Sequence, residues 1–169
     1  MKNIDIKSVI IGALVTVLII VSMGATNQDE NLGDIVVNSI NVLNENGETV
    51  AGLFAGKNGG MVGVNNADGK LVALLAADKN DHGMISVYNK HGKPAALLAA
   101  SESGGFLDVF NNDGKGAARL DATEFGGDLR IYNKHEKQVV TLQANKNSDG
   151  AIGLYDRYGD PGWAKTGRQ

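Results

Sequence analysis

The stretch MISVYNKHGKPAALLAA, Met84 to Ala100, decides the fold. It opens with an alternating apolar pair, Ile85 and Val87, then gives the short polar Asn89, the turn residue Gly92, and a second alternating run, Ala96-x-Leu98-x-Ala100. Period-two alternation on both sides of a glycine is the signature of two strands joined by a turn. The same unit recurs from residue 40 onward. Gly47, Gly69, Gly92, Gly114 and Gly159 fall in register, with Glu136 in the glycine position of the fifth copy, at spacings of 22, 23, 22, 22 and 23. Three residues before each lies Asn44, Asn66, Asn89, Asn111, Asn133 or Asp156. A fixed period of this length marks a repeat architecture, in which each unit buries its apolar face only against neighbours.

The dipeptides Asn46-Gly47, Asp68-Gly69 and Asp113-Gly114 suit two-residue type I′ hairpin turns. Such a loop would pair Val42 with Ala51 and Ile40 with Leu53, placing both apolar sets on one face. The opposite turns are glycine-rich (Lys57 to Gly60, Ser103 to Gly105, Phe125 to Gly127) and are expected to absorb the one-residue differences in spacing. Two all-β architectures fit. One is an elongated antiparallel meander of successive hairpins whose apolar face is covered by other copies, as in a trimeric β-prism. The other is a β-solenoid with one coil per repeat. The Asp-Gly-Lys turns favour hairpins.

The chain has 169 residues, 23 glycines, two prolines and no cysteine, with a formal charge of −3. No disulfide framework or thiol chemistry is available, and interspersed charge gives no nucleic-acid signature. Val9 to Ala25 is an uncharged apolar run preceded by Lys2 and Lys7. It reads as a transmembrane signal anchor over residues 9–25, with a cytoplasmic tail at 1–8 and the repeats on the extracytoplasmic side. Ser22-Met23-Gly24 leaves cleavage open. Residues 26–34 read as a linker. Ile35, Val36 and Val37 are expected to begin a β domain at 35–159, and 160–169, with Pro161, Trp163 and Lys165, reads as a cap blunting the last sheet edge.

Catalytic chemistry is not legible. His91 and His135 share a turn position and His82 lies in a loop, so no metal centre is expected; the Asn-x-Asp-Gly turns lack the distal acid of a calcium loop. There is no nucleophile elbow, phosphate cradle or paired-carboxylate cleft, and no cofactor is expected. Two features point to binding instead. Tyr88, Phe110, Tyr132 and Tyr155 occupy one column in successive repeats, a stripe that could stack glycan or peptidoglycan rings or simply cover backbone. Leu53, Leu74, Leu75, Leu97, Leu98 and Leu120 are expected to form an oligomer interface, because the second strand of repeats two and three is apolar on both faces.

The unit Ile85-x-Val87-x-Asn89-x-x-Gly92-Lys93-x-x-Ala96-x-Leu98 resembles a group of exported bacterial hairpin-repeat proteins with the pattern L-x-L-x-[DN]-x-x-G-K-x-R-A-x-L, and the likeness extends through residues 40 to 159. Tyr155-Asp156-x-x-Gly159 is more loosely similar to tyrosine-aspartate hairpin repeats. The outward arginine of the pattern is replaced here by Val50, Val72, Ala95, Ala117 and Val139. The resemblance implies an exported β repeat and supplies no catalytic residues. The expected function is a membrane-anchored structural or accessory subunit, self-associating as a homo-oligomer, expected to be a trimer. A glycan-binding module and an accessory subunit of a larger membrane protein complex are the alternatives.

Overall fold

The computed structural model describes residues 6–25 and 34–167, with helical side chains through Val21. The first five residues of the expected tail, linker residues 26–33 and the last two residues of the expected cap lie outside the described residues. The chain divides into two units, Met1–Val37 and Asn38–Gln169.

The first unit contains α1 (Ile6–Ala25), which covers the uncharged run. Its described side chains are exposed all round, and the Thr16 hydroxyl donates to the Gly12 carbonyl one turn back at 2.8 Å. Among the described residues no helix is long and apolar enough to cross a membrane, so the transmembrane reading of residues 9–25 gains no support from the structure.

The second unit is one antiparallel sheet of twelve strands in sequence order: β1 (Ser39–Leu43), β2 (Thr49–Gly56), β3 (Gly59–Asn65), β4 (Leu71–Ala77), β5 (Gly83–Tyr88), β6 (Pro94–Ser101), β7 (Gly104–Phe110), β8 (Gly116–Thr123), β9 (Gly126–Tyr132), β10 (Gln138–Ala144), β11 (Gly150–Tyr155) and β12 (Pro161–Thr166). Hairpins, not solenoid coils, are the answer, and the sheet does not close on itself. Ile35 to Val37 stay outside it, contrary to expectation: β1 begins at Ser39 and Val37 belongs to the other unit. The last segment is itself a strand. It pairs with β11 and starts on Pro161, whose missing N–H is tolerated on an edge.

The asparagine turns differ from the expected type I′ form. Gly47 has φ +81 while Asn46 does not enter the positive region, and the Asn44 N–H bonds the Glu48 carbonyl at 2.9 Å. The loop therefore has three residues, ending on a left-handed glycine. The reason is the asparagine itself. Its Oδ1 accepts from the N–H groups of Asn46 and Glu48, both at 3.0 Å, and so fixes a wider turn. The extra loop residue shifts the register by one, and a bulge at Val50 shifts it back, so Val42 still meets Ala51 and Ile40 still meets Leu53. The positions of the missing arginine, Val50, Val72, Ala95, Ala117 and Val139, are these bulge residues.

The spacing of repeats is set at the opposite edge. Where the spacing is 22, two-residue loops join Gly56 to Gly59, Ser101 to Gly104 and Thr123 to Gly126. In the two 23-residue repeats, three-residue loops are closed by Asp78 N–H to the His82 carbonyl and Asn145 N–H to the Asp149 carbonyl.

Candidate interaction face

Strand alternation, with each bulge cancelling the wider asparagine loop beside it, gathers the apolar residues into two rows on one face. Ile40 faces Leu53, Leu53 faces Val62, Val62 faces Leu75, and the row continues through Ile85, Leu98, Leu107, Leu120, Leu129, Leu142 and Ile152 to Lys165. A parallel row begins Val42, Ala51, Val64, Ala73, Val87, Ala96 and ends Leu154, Trp163. Beyond the leucine row lies a third line of Ala55 and Gly60, Ala100 and Gly105, Ala122 and Gly127. Nothing from the described sheet covers this aliphatic face. Leu53, Leu75, Leu98 and Leu120 are 47–51% exposed, and no hydrophobic side chain among the described residues is buried.

The opposite face is covered by its own side chains. The Phe54 ring lies over Gly52 and the Tyr155 ring over Gly153, so that a Cβ added at Gly52 would run into the Phe54 ring and one at Gly153 would stand 3.3 Å from the Tyr155 ring. Ser86, Asp128 and Thr141 are buried there. The six leucines expected to form one interface are therefore split. Leu53, Leu75, Leu98 and Leu120 stand in one aliphatic row, whereas Leu74 and Leu97 flank Ser86 on the other face. The aromatic column also lies on that second face, with Tyr88, Phe110, Tyr132 and Tyr155 all half-buried. A cleft of about 220 Å³ runs beside Phe110 and Tyr132 and is lined also by Asp108, Arg119 and Glu136.

Sequence reasoning missed a charge cluster on the second face. Asp108, Arg119, Arg130 and Thr141 pair across β7 to β10 in one line, flanked by Asp121 opposite Asp128. Arg119 Nε lies 3.5 Å from Asp108 and 3.2 Å from Asp121; Arg130 is 3.7 Å from Asp121 and donates to Asp128, which also accepts from the Thr141 hydroxyl at 3.3 Å. Arg119 also sits 4.5 Å above the Phe106 ring. Partial burial pushes the Asp108 carboxyl up, against the pull of Arg119, while the hydrogen bond to Asp128 raises Arg130. Neither Arg119 Nε nor Asp121 Oδ1 has a hydrogen bond, so the Arg119 pairs and the Arg130–Asp121 pair are close without good donor geometry. The signal was present in Arg119 and Asp121 on the second face of their strand; what sequence alone lacked was the register that brings Asp108 and Arg130 to them.

His91 and His135 are exposed on turns, and His82 stands 3.8 Å from Asp78. Among the described residues no group of three or more His, Cys, Asp or Glu is placed to hold a metal. In comparisons with known proteins, no family model and no curated sequence matches the chain.

Proposed function

We propose that the chain is an exported, membrane-anchored scaffold subunit that self-associates through its aliphatic face, without catalysis. The observation that carries this reading is the pair of rows running across all twelve strands with no cover from the described sheet. At about 4.8 Å per strand and 6.6 Å between rows, the two rows with the alanine and glycine line beside them make a patch about 50 Å long and 13 Å wide, more than the few hundred Å² that monomers expose. Covering about 600 Å² of it on each copy contributes roughly 15 kcal/mol at about 25 cal/mol/Å². That matches or exceeds the roughly 4–15 kcal/mol cost of association.

The anchor rests on the sequence run Val9 to Ala25 alone, uncharged and apolar, which calls for an apolar surrounding. Lysines before the run and acids after it put the repeats outside. Alkaline carbonate washing of membranes tests this part: an anchored chain stays in the pellet, and release into the wash removes the anchor from the account. Self-association is tested by the particle mass of the full chain in mild detergent. More than one copy supports it, and a stoichiometric unrelated chain in the particle would favour the role of accessory subunit to a larger membrane complex.

A second reading is supported by the aromatic rings that lie on the other face and by the cleft beside Phe110 and Tyr132. Flat rings beside carboxylate and guanidinium groups suit a glycan chain. Peptidoglycan pull-down with the Tyr88→Ala/Tyr132→Ala variant separates the readings, because a pure scaffold has no glycan affinity to lose.

A further inference from the structure

Resting on the self-association just proposed, we infer that the partner is two further copies of the chain, closing a three-fold prism with the leucine row along its axis. Side-chain size across the aliphatic face carries the inference. Along β2 the inward order is Ala51, Leu53, Ala55, and along β7 it is Gly105, Leu107, Val109. The bulk is at mid-strand; it falls away on one side to the line of alanines and glycines, and on the other to a row in which alanines alternate with valines as far as Ala118.

A two-layer sandwich keeps its sheets about 10 Å apart across their whole width, so it needs similar bulk in every row. Here the alanine and glycine line would leave a channel along the whole interface, with the contact loss that any unfilled void brings. Three sheets around an axis demand the opposite profile. Seven-residue strands span about 23 Å, so in a triangular prism the mid-strand row stands about 7 Å from the axis and the outer rows have about 3 Å of half-gap near the corners. Leucine, isoleucine and valine fill the first space, and in the second the alanine and glycine line of one copy leaves room for the alternating alanines and valines of the next. The ends agree. The leucine row has no charge until Lys165 on β12, where an axial stack would open to water.

At each corner, the row containing Ala96 of one copy meets the line containing Ala100 of the next, with Cα atoms about 5 Å apart, inside the roughly 4.4–6.8 Å span of a disulfide. The chain has no cysteine of its own. The test is the full chain carrying Ala96→Cys and Ala100→Cys, oxidised in mild detergent and run on a denaturing gel, with native mass spectrometry of the parent alongside. The prism gives covalent trimers from the double variant, none from either single variant, and a three-copy parent mass. A two-copy mass with covalent dimers overturns the three-fold arrangement while leaving self-association standing. A one-copy mass overturns both. A three-copy mass without covalent trimers overturns the corner pairing and the prism with it.

Discussion

Leu98 on β6 lies directly opposite Leu107 on β7, and in the isolated chain both remain open to solvent, at 50% and 38% exposure. Cross-strand aliphatic partners usually share the shelter of a second layer. Here the pair repeats from strand to strand with nothing above it, which makes assembly the natural completion of the fold.

Leu98→Asp places a carboxylate inside that row. Once the face is covered the charge has no partner, so the variant should sediment as single chains or fail to fold, whereas Tyr132→Ser on the other face should assemble as the parent does. Analytical ultracentrifugation checks both; assembly of Leu98→Asp like the parent would mean the wrong face has been assigned.

Glu136 holds φ +60 at the position that Gly47, Gly69, Gly92 and Gly114 fill in the turns after Asn44, Asn66, Asn89 and Asn111. Glu136→Gly should relieve the left-handed cost of about 1–2 kcal/mol, less the greater entropy glycine loses on folding, for a net gain of up to about 1 kcal/mol. A rise of a few degrees in thermal midpoint is expected; a fall would contradict the turn geometry.

How far the residues alone disclosed this fold is clearest at these turns. The Asn-Gly and Asp-Gly dipeptides correctly announced hairpins but not their type, because the same pair serves a type I′ loop and a three-residue loop ending on glycine. Register still came out right, since the wider loop and the bulge at Val50 cancel. The aliphatic row was legible because alternation is local. The division of Leu74 from Leu75 and Leu97 from Leu98 between two faces is legible in strand parity; what parity does not show is that side chains shelter one face of the sheet and leave the other open. The cluster around Arg119 needed four strands in register at once, and the start of the sheet at Ser39 was hidden by the β-branched Ile35 to Val37.

Gly104 has φ +133, and a Cβ there would stand 2.6 Å from the Cβ of Ala122 on the next strand. Gly104→Ala combines backbone strain with a contact that no flexible side chain can relax, and should cost about 1–3 kcal/mol. Chemical denaturation should show a lower midpoint, with a larger drop than Gly116→Ala, where the added methyl meets nothing within 4 Å.

Asp156 accepts the N–H groups of Tyr158 and Asp160 at 2.8 and 2.9 Å, and the Asp160 and Tyr158 bonds hold its carboxyl below the ordinary 3.8. A lowered folded pKa means the contribution is present above pH 3.8 and is lost as pH falls through the folded value. Asparagine accepts the same two bonds in the equivalent turn at Asn133, without titrating. Asp156→Asn should match the parent in thermal unfolding at pH 7 and lose less stability below pH 3.8. Equal acid losses in the two proteins would show that the carboxylate form is not favoured by the turn.

Arg119→Ala leaves Asp108, Asp121 and Asp128 with Arg130 as their one remaining cation in the cluster. Because these side chains are partly solvated, the cost should be about 1–2 kcal/mol, smaller at pH 4 than at pH 7 as Asp108 takes up a proton. Urea titrations at the two pH values measure the difference, and an equal cost at both would place Asp108 outside the electrostatic cluster.

Hydroxyl-radical footprinting of the intact assembled chain tests the central claim most directly. If copies cover one another, Leu53, Leu75, Leu98 and Leu120 should be oxidised far more slowly than their 47–51% exposure in the single chain would allow. Oxidation at rates matching that exposure would mean the aliphatic face is bare in the working protein, and the scaffold account would fall.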